Sequence, residues 1–248
     1  MRTISRSCFR PLLLAAAIFA AAAGSVAANT ATEPVPRNGM PAQMHQDFLA
    51  LAKKGGIDVL FLGDSITDFW RNRGKVVWDK YYGSMNAANF GISADRTQHV
   101  LWRMQNGELD GIRPKVVVLM IGTNNCGLEN DGKRVRNTTP EAIEGVTAVV
   151  KGLRAKLPES KILLLGIFPR ARKGDPDSIL DQIKEVNAAI AKLDDGKYIK
   201  YLDIGPRFLK PDGSLNPDDF ISDLLHPSEK GYEVWAEAIQ QPLADLMK

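Results

Sequence analysis

Short apolar runs without polar alternation recur along the chain past residue 42. They lie at residues 57–62, 85–90, 116–121, 161–165 and 198–202, and the second is the weakest. Runs of this kind are typical of parallel strands that are buried on both faces. Helical patterns fill the intervals, at residues 45–54, 68–81, 97–105, 140–157, 176–192 and 227–246. Strands that alternate with helices predict a doubly wound sheet, and one α/β/α domain over residues 42–248 fits the pattern.

The chain begins with a pattern that differs from the rest. Three arginines precede an apolar run at residues 11–23, and small residues follow up to Ala28. This order predicts a signal peptide over residues 1–28, cleaved after Ala28 or one residue earlier. The alternative is a membrane anchor, but the run is shorter than the roughly 20 residues that a spanning helix needs. Residues 29–41 contain three prolines and little periodicity, which predicts an extended lead-in.

Charge and cysteine content narrow the functional classes. The 248 residues carry 32 Lys+Arg and 29 Asp+Glu, for a net charge of +3, with two cysteines. This charge is too small to indicate a nucleic-acid partner. Two cysteines exclude a disulfide framework and a four-cysteine zinc site. Without residues 1–28 the net charge is zero and Cys126 is the remaining cysteine, so the mild basicity belongs to the predicted export signal.

Polar or glycine residues follow three of the predicted strands, at the sheet edge where α/β proteins collect their chemistry. Ser65 stands in a turn between the first strand and a helix, where it either exposes its hydroxyl or caps the helix. Thr67 occupies the second glycine position of a G-x-S-x-G elbow, so that motif is absent. Gly91 follows the second strand, as a backbone donor or an ordinary turn residue. Asn124 follows the third strand and either points an N–H at the same place or ties down its own loop.

A carboxylate and an imidazole lie near the start of the last predicted helix. Asp223 and His226 are three residues apart, so the carboxylate can hold one ring nitrogen, or can instead act as a simple helix cap. The other two histidines, His45 and His99, do not follow strands. With Ser65 and the candidate donors, these residues supply a nucleophile, an oxyanion hole, a base and its orienting group. That set predicts acyl transfer.

Three further residues have weaker indications. Trp70 comes five residues after Ser65 and is a candidate for the acyl pocket. Arg170 and Arg172 lie in a basic loop after the fourth strand, as candidates to contact a polar or anionic leaving group, although a solvated loop is the simpler interpretation. Cys126 has no base beside it in the sequence, which argues against a cysteine nucleophile.

These motifs resemble those of the SGNH, or GDSL-type, hydrolase superfamily. Ser65, Gly91, Asn124 and His226 match its four sequence blocks in order and context. Within the superfamily, the chain is most similar to the catalytic subunits of intracellular platelet-activating-factor acetylhydrolase. The strings that carry this similarity are DVLFLGDS (58–65), FGI (90–92), HVLWR (99–103), NGEL (106–109), IGTNN (121–125) and GIFPR (166–170).

The resemblance implies a flavodoxin-like α/β/α fold with about five parallel strands. It implies that Ser65 is the nucleophile, His226 the base and Asp223 the group that orients it. The oxyanion hole would consist of the N–H groups of Ser65 and Gly91 and the side chain of Asn124. The resemblance also implies that no metal or organic cofactor takes part. Many members form homodimers, so a homodimer is a further expectation.

The expected function is that of an exported serine esterase, secreted or periplasmic and without a stable membrane anchor, that hydrolyses acetyl or other short acyl esters. Its small acyl-ester substrate would be an O-acetylated carbohydrate or a lipid such as an acetylated or lyso-phospholipid; an arylesterase or thioesterase is a further alternative. The intracellular subunits have no signal peptide. The one predicted here argues against platelet-activating factor as the substrate and against the regulatory partner of those subunits. A non-enzymatic alternative is a binding module on the same fold, which would lack a catalytic residue.

Overall fold

The computed structural model describes residues 28–248. The predicted signal peptide therefore lies outside the described residues, apart from Ala28. Over residues 28–248, no helix combines the length and the apolarity that crossing a membrane requires.

The described chain alternates strands and helices in the predicted order. The strands are β1 Val59–Gly63, β2 Ala87–Gly91, β3 Val116–Met120, β4 Lys161–Leu165 and β5 Ile199–Leu202. The helices are α1 Met40–Lys54, α2 Ser65–Asp68, α3 Lys75–Tyr82, α4 Thr97–Gln105, α5 Thr139–Lys156, α6 Ile179–Ile190 and α7 Glu229–Leu246. Every predicted strand is confirmed to within two residues at either end.

One predicted helix is wrong in its middle. The segment at 68–81 is divided into α2, a 3₁₀ turn at Phe69–Arg71 and α3. The chain turns at Gly74, where a Cβ atom would lie 2.6 Å from the Trp70 ring and 2.8 Å from the Tyr232 ring. Close packing of these aromatic rings, which local periodicity does not encode, therefore shapes the break.

The five strands form one parallel sheet in the order β2-β1-β3-β4-β5. This confirms the predicted α/β fold with five parallel strands. The central strand β1 pairs with both β2 and β3, and its last residue, Gly63, is opposite Gly91 on one side and Met120 on the other. The chain thus reverses its direction of winding at β1, and the crevice beyond the carboxyl ends of such strands is where α/β proteins bind ligands.

Side chains of each central strand alternate between two helical layers. In β1, Leu60 and Leu62 pack with residues of α1, α4, α5 and α6, whereas Val59 and Phe61 pack with residues of α3 and α7. All four side chains are completely buried. Burial on both faces explains why the strands read as continuous apolar runs.

The predicted lead-in is held firmly against the helices. We call residues 29–37 the strap. Ala31 is completely buried, and its carbonyl accepts a hydrogen bond from Thr97 Oγ1 (2.7 Å). Val35 N–H donates to the carbonyl of Gln98 (3.2 Å). The lead-in also ends earlier than expected, because α1 begins at Met40.

Candidate active site

Ser65 is the first residue of α2, directly beyond the carboxyl end of β1. The Asp64 carboxylate caps this helix by accepting a hydrogen bond from Ile66 N–H (3.0 Å). A Cβ atom at Gly63 would lie 2.3 Å from both the Met120 carbonyl and Thr67 Oγ1, so only glycine allows α2 to fold back this closely. Ser65 lies at the sheet edge and is 6% exposed.

The structure brings Ser65, His226 and Asp223 into one hydrogen-bonded chain. Ser65 Oγ lies 2.8 Å from His226 Nε2, and His226 Nδ1 lies 2.6 Å from Asp223 Oδ2. Asp223 Oδ1 accepts hydrogen bonds from the backbone N–H groups of Leu225 and His226. Partial burial opposes ionisation of Asp223, but these N–H groups and the His226 ring outweigh it and lower the pKa of the carboxyl. An ionised carboxylate can therefore orient the ring and stabilise its protonated form.

Two neighbouring segments fix the loop that carries His226. Ile221 N–H donates to the His226 carbonyl (2.9 Å), and Leu224 adopts a positive φ of 50°. The Leu224 carbonyl accepts a hydrogen bond from Ala171 N–H (3.0 Å), in the loop after β4. The His226 ring packs against the ring of Phe69, with centroids 4.8 Å apart. The loop hydrogen bonds and the Phe69 ring thus hold the imidazole in place beside the Ser65 hydroxyl.

Asn124 lies at the carboxyl end of β3 and is held by the loop after β2. Its Nδ2 atom donates one hydrogen bond to the Asp95 carbonyl (3.0 Å), which leaves the second amide hydrogen for a ligand. Ser65 N–H, at the first position of α2, has no hydrogen-bond partner in the described part of the chain. Both groups meet the requirement of a donor at the sheet edge.

The contacts of Gly91 contradict its predicted role as the second backbone donor. Its N–H already donates to Asn89 Oδ1 (2.8 Å). A Cβ atom there would lie 2.3 Å from the backbone nitrogen of Asp68, so glycine is required at this position for close packing against α2. The prediction for Gly91 is wrong for this physical reason.

Ala94, three residues further along, is better suited to donate. Its φ is 64°, it is exposed, and its N–H has no partner within residues 28–248. On one side, Ser93 Oγ donates to Asp68 Oδ2 of α2 (2.6 Å); on the other, the Asp95 carbonyl holds Asn124. Ala94 therefore lies between the segment that carries Ser65 and the Asn124 side chain. Sequence reasoning missed it because alanine rarely adopts a positive φ.

Asp64, next to Ser65, is completely buried. Its Oδ2 atom has no hydrogen-bond partner among the described residues. Burial raises the pKa of this carboxyl to about 7; the hydrogen bond from Ile66 N–H and the charge of Arg170 oppose the shift, and Asp95 adds to it. Asp64 is thus a carboxyl that changes its charge near neutral pH inside the protein.

Trp70 does not line the space above Ser65. Its side chain is completely buried, with ring centroids 4.4 Å from Tyr232 and 5.1 Å from Trp235. The predicted contact with the acyl pocket is therefore wrong. Rings of α3 and α7 surround Trp70 in this cluster.

Arg170 is also placed differently from both sequence interpretations. It is 2% exposed and pairs with Asp175 through two hydrogen bonds of 3.0 and 3.1 Å. Its Nη1 atom donates to the carbonyl and to Oγ1 of Thr123 (2.5 and 2.6 Å). The side chain thus fixes Thr123, the residue before Asn124, and is not available to contact a leaving group. Arg172, in contrast, is exposed.

Cys126, His45 and His99 are not suited to act as nucleophile or base, because of burial or existing contacts. Burial raises the pKa of the Cys126 thiol to about 11, which disfavours a thiolate. His45 is buried with its Nδ1 atom 3.1 Å from Glu108 Oε2. Burial and nearby arginines lower the pKa of His99 to about 4, and its Nδ1 accepts a hydrogen bond from Arg96 N–H. Residues 28–248 contain no group of three His, Cys, Asp or Glu side chains arranged to hold a metal ion.

An arginine cluster beside Asn124 was not singled out from the sequence. Arg96 forms a two-pronged ion pair with Glu129 at 2.8 Å. Arg136 is 11% exposed, and its Nη1 atom donates to the Asn124 carbonyl (3.4 Å). Its buried Nε atom has no hydrogen-bond partner in the described chain and lies 4.0 Å from Glu129 Oε2. Burial lowers the pKa of Arg136, and Arg96 and two further arginines add to this effect. Positive charge is therefore concentrated at this edge of the site.

Comparison with known proteins agrees with this geometry. The model of the GDSL-like Lipase/Acylhydrolase family matches residues 61–234. The chain belongs to this family. The GDSL-like chain is 32% identical over 225 residues to the human platelet-activating factor acetylhydrolase IB subunit alpha1, across 88% of this chain and 91% of the human subunit. This confirms the resemblance recognised in the sequence.

Solved structures show the same fold. A GDSL-like lipase from Bacteroides thetaiotaomicron superposes with a TM-score of 0.63 at 20% identity, covering 83% of this chain and 98% of the lipase. A catalytic mutant of an acetylxylan esterase from Geobacillus stearothermophilus gives a TM-score of 0.55 at 19% identity, covering 75% and 94% of the two chains. The GDSL-like chain is therefore a hydrolase by family, with the fold of both bacterial enzymes.

Proposed function

We propose that this GDSL-family hydrolase is an exported serine esterase that removes acetyl groups from oxygen esters. The observation that carries the proposal is the continuous chain from Ser65 Oγ through the His226 ring to Asp223, with distances of 2.8 and 2.6 Å. A hydroxyl becomes a nucleophile when a base in hydrogen-bond contact removes its proton, and a base needs a partner that fixes its orientation.

In the proposed mechanism, Ser65 Oγ attacks the ester carbonyl carbon while His226 Nε2 takes the hydroxyl proton. The tetrahedral intermediate collapses when the C–O bond to the leaving group breaks, and the protonated His226 gives its proton to the departing alcohol. Water then attacks the acyl-enzyme while His226 takes a proton from it. The bond to Ser65 Oγ breaks, His226 returns the proton to Oγ, and the acid is released. Asp223 stabilises the positive charge that His226 carries between these proton transfers.

Three donors are proposed to hold the developing oxyanion. They are the N–H groups of Ser65 and Ala94 and the free amide hydrogen of Asn124. Ala94 replaces Gly91 in this role because the Gly91 N–H is engaged by Asn89 Oδ1. Donors fixed before the reaction begins stabilise a transition state without reorganisation, and each typically contributes about 3 kcal/mol.

Two observations support acetyl esters and export. The fold is shared with an acetylxylan esterase, and the human relative is named for an acetylhydrolase. The pattern of residues 1–28 supports a signal peptide cleaved after Ala28, which would leave the lead-in of residues 29–41 and a single catalytic unit over residues 42–248. O-acetylated carbohydrate is the proposed substrate, because such polymers lie outside the cytoplasm.

The test is hydrolysis of a p-nitrophenyl ester series from acetate to palmitate, with acetylated xylan alongside. We expect the highest kcat/KM with acetate, release of acetate from xylan, and covalent labelling of Ser65 by a fluorophosphonate. Ser65→Ala should abolish labelling and lower kcat at least ~10⁴-fold. Ser84→Ala, which alters an exposed serine, is the matched control. Preference for long chains would overturn the acetylesterase proposal, and an unlabelled, inactive protein would favour a binding module.

A second candidate substrate is a phospholipid that carries an acetyl ester. The arginine cluster of Arg96 and Arg136, with the charge of the exposed Arg172 acting on Arg136, favours a substrate with an anionic group near the ester, as in a glycerophospholipid. Arginine suits phosphate oxygen because its planar group is permanently charged and offers several N–H donors. This candidate also agrees with the name of the curated human relative.

These two candidates are distinguished by one comparison. If the phosphate contact operates, Arg136→Gln should raise KM for a 2-acetyl ether phosphocholine lipid several-fold and leave KM for p-nitrophenyl acetate unchanged. Arg134→Gln is the control, since the side chain of Arg134 is 79% exposed and pairs with Asp131, three residues earlier. Equal KM values for the lipid in wild type and Arg136→Gln would remove the support for a phospholipid.

A further inference from the structure

The loop between β2 and α4, which holds Asn124 and Ala94, is bound by a side chain from the strap. Arg37 Nη1 donates to the Ser93 carbonyl (2.6 Å) and to Asp95 Oδ1 (2.9 Å). The two acceptors lie on either side of Ala94. Arg37 thus spans the one residue of this loop whose N–H is unpartnered within residues 28–248 and whose φ is positive.

The second acceptor connects Arg37 to Asn124. The Asp95 side chain is 1% exposed, and its other carboxylate oxygen accepts a hydrogen bond from Arg103 Nε (2.9 Å). The Asp95 backbone carbonyl accepts the hydrogen bond from Asn124 Nδ2. The orientation of Asn124 therefore depends on where Asp95 is held, and Asp95 is held by one arginine from each side.

Arg103 is itself fixed within the core. It is 3% exposed and pairs with the buried Glu108, which also contacts His45 Nδ1. Arg37, by contrast, is 26% exposed and belongs to the strap. The core side of Asp95 is thus rigid, whereas the outer side depends on a segment that precedes the first helix of the fold.

We propose that Arg37 is a positioning residue for the oxyanion hole, so that the docked strap is required for full catalytic rate. This inference rests on the proposed esterase function. Without Arg37, Asp95 keeps Arg103, but the Ser93 carbonyl loses its partner and Ala94 is no longer held in its positive-φ conformation. A donor displaced by about 1 Å stabilises the transition state poorly, whereas binding of the neutral ester is unaffected.

The experiment measures kcat and KM for p-nitrophenyl acetate in the exported chain carrying Arg37→Gln. We expect kcat to fall about 10- to 100-fold with KM unchanged. Arg37→Lys should retain more activity than Arg37→Gln, since one ammonium nitrogen can donate to both acceptors. Millimolar guanidinium should restore activity to Arg37→Ala and should have no such effect on the wild type.

The matched control is Arg154→Gln. Arg154 also donates to loop carbonyls, those of Leu157, Pro158 and Ser160, but at the amino end of β4 on the opposite edge of the sheet. Both variants are expected to lower the free energy of unfolding to a similar extent, and only Arg37→Gln should lower kcat. Equal kcat in Arg37→Gln and wild type, or an equal fall in both variants, would overturn the inference.

A readout independent of turnover separates this inference from the proposed function. Asp95 N–H donates to the Ile92 carbonyl (3.1 Å), so its hydrogen exchange reports on the order of the loop. Arg37→Gln should accelerate exchange at Asp95 but not in β3. If the wild type hydrolyses no ester, the esterase proposal fails. If Arg37→Gln leaves exchange at Asp95 unchanged, the positioning role fails, whatever the outcome for ester hydrolysis.

Discussion

Asp64→Asn is expected to remove a strong dependence of stability on pH. The Asp64 carboxyl is completely buried beside Ser65, and its pKa is raised from 3.8 to about 7. Between these two values the folded protein binds a proton that the unfolded chain has released. The free energy of unfolding therefore falls as pH rises from about 4 to about 7, and stays reduced above that.

The size of the effect follows from the shift. A displacement of about 3 pH units corresponds to roughly 4 kcal/mol in total, of which roughly 3 kcal/mol develops between about pH 5 and pH 8. Asparagine keeps the oxygen that accepts the hydrogen bond from Ile66 N–H, but it carries no charge. Burying the asparagine amide lowers the free energy of unfolding by an amount that does not vary with pH. The diagnostic quantity is therefore the slope of the unfolding free energy against pH, not its absolute value.

The assay is urea unfolding of wild type and Asp64→Asn at several pH values across this range. We expect the difference in unfolding free energy to shift by roughly 3 kcal/mol in favour of Asp64→Asn between about pH 5 and pH 8. Asp79→Asn, at an exposed position of α3, should run parallel to the wild type. Parallel curves for wild type and Asp64→Asn would refute the reasoning that burial keeps this carboxyl protonated.

Five further substitutions, at four positions, test the site and the fold. Asn124→Ala should lower kcat for p-nitrophenyl acetate ~100- to 1000-fold with little change in KM, and an unchanged kcat would exclude it as an oxyanion donor. Arg170→Met should lower the unfolding free energy measured in urea by about 3 kcal/mol, because it leaves the Asp175 carboxylate unpaired, while KM stays constant. Ala94→Gly should keep kcat, whereas Ala94→Val should lower both kcat and stability, since a β-branched residue is strained at a φ of 64°. Thr138→Ala should cost about 1 kcal/mol in thermal unfolding through loss of the capping box of α5.

The fold was largely accessible from the sequence because its signals are local. The apolar run at 161–165 coincides with β4, and the periodic segment at 97–105 coincides with α4. Each strand is buried on both faces, so its composition alone marks it. The broken helix at 68–81 was not accessible, since the break depends on Tyr232, which is distant in the chain.

The site residues with local sequence signals were likewise accessible from the sequence, and those that depend on long-range contacts were not. Asp223 and His226 are three residues apart, and Ser65 follows the first strand, so short motifs were enough to select side chains that the structure brings into contact. Gly91 was selected because glycine suits a backbone donor, but packing against α2 is what requires it. Neither alanine nor arginine is a residue type that marks such a site in a sequence. Ala94 depends on a positive φ and Arg136 on a long-range contact, and a single sequence reveals neither.

The separation of Ser65 and His226 has a consequence for synthesis of the protein. The two residues are 161 positions apart, and His226 lies three residues before the first residue of the final helix, α7. A ribosome-bound or truncated chain that lacks this last segment has a nucleophile but no base. Ester turnover would therefore report completion of the polypeptide, and two fragments divided at the exposed Gly174 would acquire activity only on reassembly.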